Sequence, residues 1–110
     1  MTVAVTVHDG AGHTVVVPQG RLYFDTIEPV RKALLALAAG GRPRIVLDLS
    51  HVESCDSAAL NLMVEVHRTV AAGDGWLRLV APRPHVRRVL EVTNLTRLLA
   101  IYDTVAEAAP

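Results

Sequence analysis

The 110 residues, 51% hydrophobic and only 4% aromatic, have the length of one domain, residues 1–110, with a core built from Val, Leu, Ile and Ala. Eleven basic and eleven acidic residues cancel, which argues against nucleic-acid binding by bulk charge, and a charged fraction of 20% argues against a disordered chain. No apolar run approaches the ~20 residues of a membrane span, Met1–Gly10 lacks the basic start and apolar stretch of a secretory leader, and the lone Cys55 has no internal disulfide partner, so a cytoplasmic protein without membrane insertion is expected.

Val3, Val5 and Val7 alternate with Ala4, Thr6 and His8, a period-two strand. Asp9-Gly10 signals a turn, and the β-branched run His13–Val17 stops at Pro18, so residues 3–17 read as a β-hairpin. Gly10-x-Gly12 lacks the following helix that a phosphate-cradling loop requires. Gly20–Phe24 reads as a connector. Asp25 and Glu28 then have the spacing of a capping pair, with Pro29 tolerated in the first turn. Ile27, Val30, Leu34 and Leu37 form one stripe of a helix that ends at Gly40-Gly41. Arg44–Ser50 is a near-continuous apolar run suited to a central strand.

His51–Ser57 reads as a polar connector of the kind that carries function. From Ala58 to Ala72 the pattern is helical: Ala59, Met63, Val66 and Val70 form the core stripe, Leu62 lies beside it, and Leu60 and Val64 fall between the faces. Gly73-Asp74-Gly75 turns the chain into the strand Trp76–Val80. A short helix spans about His85–Val92, with Val86, Val89 and Leu90 on its buried side. Leu98–Tyr102 reads as a last strand, and Asp103 is expected to cap a terminal turn through Ala109. The order ββαβαβαβα implies a largely parallel sheet with crossover connections.

Asp56-Ser57, at the start of the helix near Ala58, is the most informative point. Ser57 at or next to the N-cap has two readings. It can satisfy unpaired helix amides. It can also present a hydroxyl where the positive helix end tolerates a phosphate. Such a phosphate adds about −1.5 to −2 charge and obstructs any partner docked over it. Asp48 at the strand end can accept amides from the following loop or orient the connector that carries Ser57.

The run Asp48-Leu49-Ser50, followed by Asp56-Ser57 before an apolar helix, resembles the STAS domain of anti-sigma factor antagonists. Gly20-Arg21-Leu22, Leu79-Val80-Ala81-Pro82 and Val89–Leu95 extend the resemblance, in order, over essentially the whole chain. It implies an α/β fold: a single STAS-like domain, a mixed β-sheet with an N-terminal hairpin and parallel strands joined by helices. It also implies an anti-sigma factor antagonist that binds an anti-sigma factor serine kinase and so releases a sigma factor. That kinase would phosphorylate Ser57 and a phosphatase would reverse the mark. Asp48 and Asp56 would support the site, and Ala58, Leu60, Asn61 and Val64 would contact the partner. The chain itself would be no enzyme and would hold no cofactor or metal. The family's usual site reads Asp-Ser-Ser/Thr-Gly. Here Ala58 and Ala59 stand at the last two positions, so Ala59 adds a Cβ where a partner backbone is expected to approach.

That departure keeps a second reading open, a non-catalytic STAS adaptor or scaffold in a transporter or stress-signalling complex without a phosphorylation cycle. A third, Ser57 as an enzymatic nucleophile, lacks the Gly-x-Ser-x-Gly elbow. The five histidines show no metal-ligand spacing with carboxylates or Cys55. Asp56 beside Cys55 is expected to disfavour its thiolate. Arg78, Arg83, Arg87, Arg88 and Arg97 form a basic run that reads as a solvated face or as a steering patch for an acidic partner.

Overall fold

Alternating valines and the Asp-Gly turn produce the expected hairpin. In the computed structural model, which describes residues 2–41 and 43–110, β1 (Ala4–Asp9) pairs antiparallel with β2 (Thr14–Leu22), from Ala4 opposite Gln19 to Asp9 opposite Thr14. The strand does not stop at Pro18. The first part of β2 pairs in parallel with β3 (Arg44–Asp48) through Thr14–Val16, and its last part pairs with β4 (Val52–Cys55) from Gly20 onward. Pro18 falls in the gap between those two partners, where a missing amide donor is least costly. The register shifts between Gly20 and Arg21, and Gly20 has φ +116°, a conformation that favours glycine.

β4 corrects the reading of residues 51–57 as a connector. Only Val52 of its four residues is buried, so no apolar alternation announces it. Pairing with the far half of β2 forms it. The Gly20 amide donates to the His51 carbonyl at 3.1 Å and the Asp56 amide to the Leu22 carbonyl at 3.2 Å, closing the two ends. The Gly20–Phe24 connector is corrected in the same way, because its first three residues belong to β2.

α1 (Glu28–Ala38) buries Val30, Leu34 and Ala38. Its cap is not the Asp25–Glu28 pair. Ile27 occupies the N-cap without a side-chain bond, because Thr26 organises the preceding turn. The Thr26 hydroxyl donates to the Arg21 carbonyl at 2.6 Å and accepts from the Tyr23 amide at 2.9 Å. α2 (Ser57–Ala72) follows β4, and then come β5 (Trp76–Val80), α3 (Pro84–Val92), a 3-10 turn at Leu95–Arg97, β6 (Ala100–Tyr102) and α4 (Val105–Ala108). β6 starts two residues later than expected, and Thr104 rather than Asp103 caps α4 by accepting from the Glu107 amide at 3.2 Å.

The strand order is β1-β2-β3-β5-β6, with β4 on β2, and only β1–β2 is antiparallel. This is the mixed α/β sheet that the resemblance implies. One face carries the main core: Leu22, Val30, Leu34, Ile45, Leu47, Met63, Val66, Leu79 and Leu90 are all buried in it. On the other face Val46, Val80 and Ala108 form a smaller cluster with Trp76 and Tyr102. Alternation along β3 explains the division, with Ile45 and Leu47 to one side and Val46 to the other.

Candidate functional site

β4 delivers the chain to Asp56, and Asp56 fixes the start of α2. Its backbone is extended (φ −109°, ψ −171°), the geometry of an N-cap. One carboxylate oxygen, Oδ1, accepts from the Ala58 amide at 2.9 Å. The other, Oδ2, accepts from the Phe24 amide at 3.0 Å. A single side chain therefore satisfies an orphan helix amide and ties α2 to the loop between β2 and α1.

Ser57 is the first helical residue and is exposed. The two readings of this position separate here: Asp56 does the capping, and the Ser57 hydroxyl is not needed for it. Among the described residues no side-chain hydrogen bond holds that hydroxyl. The first-turn amides of Ser57 and Ala59 also lack intrahelical acceptors by the geometry of any helix start, so the surroundings favour an anion.

The other expected site residues divide. Ala58, Leu60 and Val64 are half-buried and Asn61 is exposed. Asn61 and Val64 line a shallow groove of about 510 Å³ with Glu65, Arg68 and Thr69, and Leu60 packs against the core edge. Asp48 does not reach Ser57. Its Oδ1 accepts from the Ser50 amide at 2.9 Å, which shapes the turn from β3 into β4 and acts on the site only through β4. Ala59 is 1% exposed and packs in the main core. Its Cβ therefore packs into the interior.

Tyr23, Phe24 and Ser54 flank the Asp56 cap and were not anticipated. The Tyr23 phenol and the Ser54 hydroxyl lie 2.6 Å apart, and Phe24 is 79% exposed. The bonds that place them join residues about thirty positions apart, which local sequence patterns do not reveal. Nearby, Arg21 pairs with Glu53 at 3.5 Å, and the Arg83 Nε donates to the Ser50 carbonyl at 3.1 Å. The His85 ring bonds the Glu53 carbonyl, holding α3 to β4.

Burial pushes the Cys55 thiol up, and the Asp56 carboxylate adds to the shift. The thiolate is disfavoured as expected, with burial the larger cause. No group of three His, Cys, Asp or Glu able to hold a metal occurs among the described residues. Members of the basic run have partners on different elements. The Arg78 guanidinium lies 3.9 Å from the Trp76 ring centroid on the smaller-core face and donates to the Ala108 carbonyl at 2.7 Å, while Arg87 faces Asp103 at 3.7 Å. No helix among the described residues is long and apolar enough to cross a membrane.

A mixed sheet with an N-terminal hairpin thus leads to a serine presented at the start of the helix after β4. The STAS domain family model matches residues 2–108, and the chain belongs to that family. It is 46% identical over 68 residues, covering 62% of this chain and 60% of the relative, to a Thermotoga neapolitana protein named as a candidate anti-sigma factor antagonist. The aligned stretch thus spans about three-fifths of that relative's length. The fold superposes on the crystal structure of a candidate anti-sigma factor antagonist from Thermotoga maritima, with a TM-score of 0.86 and 32% identity over 94% of this chain and 90% of that one. It also superposes on Bacillus SpoIIAA. The unphosphorylated form gives a TM-score of 0.78 and 24% identity over 96% of this chain and 92% of that one, and the phosphorylated form gives 0.74 and 21% over 96% of each.

Proposed function

We propose that the chain is an anti-sigma factor antagonist, a non-catalytic partner switch. Unphosphorylated, it binds an anti-sigma factor serine kinase and displaces the sigma factor. The kinase phosphorylates Ser57, the complex dissociates, and a phosphatase resets it. The observation that carries this reading is the exposed Ser57 hydroxyl on the first turn of α2, next to a cap that does not use it. The names of the Thermotoga relatives support the class of partner.

Phosphate at Ser57 gains the helix N-terminus and free first-turn amides, so the fold survives it. A partner surface closed over Ser57 faces an added charge of about −1.5 to −2. A hundredfold loss of affinity requires ~2.7 kcal/mol, and one uncompensated charge in a desolvated interface reaches that size. Asp48 supports the site through the β3–β4 turn, Asp56 through the cap, and Ala58, Leu60, Asn61 and Val64 form the docking face along α2. The adaptor reading draws on both Ala58 and Ala59, of which Ala59 is buried in the core and Ala58 is half-buried.

The test is incubation with the serine kinase of the host's anti-sigma system and ATP, followed by intact mass. One phosphate on the wild type and none on Ser57→Ala is expected. Equal uptake by Ser57→Ala refutes the assignment, and kinase binding by Ser57→Asp as tight as by the wild type refutes the switch.

A further inference from the structure

The most exposed large apolar side chain among the described residues sits at the Ser57 end of α2. Phe24 is 79% exposed, against 68% for Val92, 47% for Val7 and 43% for Leu98. The surrounding bonds hold it there. Its amide donates to Asp56 Oδ2, the phenol of Tyr23 lies against the Ser54 hydroxyl, and the hydroxyl of Thr26 donates to the Arg21 carbonyl. The Thr26 and Ile27 amides both return to the Tyr23 carbonyl at 2.9 Å. With both flanks pinned, the backbone of the turn is held in place and the ring stands in solvent. A Phe ring left in water forgoes the burial of roughly 150–250 Å². A turn that fixes it outward presents it to something else.

We propose that Phe24 is the aromatic anchor by which the kinase that acts on Ser57 holds this chain, inserting into an apolar pocket beside the kinase's acceptor site. The inference rests on the kinase reading above. Continuity chooses the occupant: the Asp56 carboxylate that holds the Phe24 amide belongs to the residue immediately before Ser57, so a protein close enough to reach that hydroxyl also covers the Phe24 turn. Interfaces concentrate their energy in a few buried aromatics of this kind. Val92 gives the contrast. It ends α3, and its neighbour Thr93 bonds back into the same helix at 2.7 Å, with no tie to α2.

The test uses the purified kinase that phosphorylates Ser57, with the full chain as substrate. Phe24→Ala is expected to raise KM for the chain at least tenfold while leaving kcat within about twofold. Phe24→Leu is expected to restore most of the loss, and Val92→Ala to behave as wild type. Circular dichroism checks that each variant is folded. A KM for Phe24→Ala within twofold of wild type overturns the anchor while leaving the Ser57 switch intact. Failure of the kinase to modify wild-type Ser57 overturns the switch, and the anchor with it.

Discussion

Replacing Asp56 tests whether the cap and the proposed phosphoacceptor are separate residues. Asp56→Ala removes two acceptors at once, the Oδ1 bond to the Ala58 amide and the Oδ2 bond to the Phe24 amide, both within 3.0 Å. Loss of an N-cap costs about 1 kcal/mol. The second bond is exposed, so water partly replaces it and its loss costs roughly 0.5–1 kcal/mol. Together Asp56→Ala should destabilise the fold by about 2 kcal/mol, which lowers Tm by roughly 10 °C for a chain of this size. Asp56→Asn has one acceptor oxygen where Asp has two and should lose about half as much. Ser57→Ala removes an exposed hydroxyl that holds nothing and should stay within about 0.5 kcal/mol of wild type. Urea titration and thermal melting followed by circular dichroism give all three values. A Ser57→Ala loss equal to or larger than that of Asp56→Ala would show that the serine is the cap, and the free-hydroxyl argument would fail.

Two further perturbations probe the frame and the neighbour of the site. At Gly75 an added Cβ would meet the Pro43 backbone carbonyl, and neither backbone can yield cheaply because the Trp76 amide donates to that same carbonyl at 2.9 Å. Gly75→Ala should therefore cost more than about 1–2 kcal/mol by moving the start of β5 away from β3, the scale of forced overpacking, and a melting temperature unchanged from wild type would contradict it. Because burial and then Asp56 raise the Cys55 thiol, a disulfide reagent should modify it more slowly at pH 7 than a free thiol, with the rate climbing toward higher pH. The native state keeps this proton longer than the unfolded chain does, so the contribution to stability is whole below the unfolded thiol's pKa and declines as pH rises above it. Modification at the speed of an exposed cysteine would refute the burial argument.

Period and composition made most of the sheet and helices legible. Alternating valines placed β1, the Arg44–Ser50 run placed β3, and the stripe Ala59, Met63, Val66 and Val70 placed the inner face of α2. What escaped was structure created by distant partners. β4 is polar in sequence and becomes a strand because the end of β2 runs alongside it. β2 crosses Pro18 because its two parallel partners leave that residue unpaired on their side. Asp25 and Glu28 have capping spacing, but the Thr26 hydroxyl takes over the turn and leaves α1 without a side-chain cap. The site divides along the same line. An Asp-Ser pair before an apolar helix is a local signal, and it marked the start of α2 to within a residue. The exposure of Phe24 follows from bonds to Asp56 and Ser54, which no local spacing encodes.

Under the proposed switch, the division of labour between Asp56 and Ser57 lets a covalent mark act on binding without acting on folding. Had the serine itself capped α2, a phosphate on its oxygen would have replaced an interaction worth about 1 kcal/mol to the helix, and the mark would have altered stability together with affinity. With the cap on the preceding carboxylate, the serine side chain is free of structural duty. The same logic applies one turn along. The methyl of Ala59 points inward and Asn61 outward, so residue 59 can change with the core while residues 57 and 61 stand open to solvent. The carboxylate that carries the cap also fixes the Phe24 turn. In the proposed switch, a dianion placed beside it acts first on the docking surface and only weakly on the sheet behind.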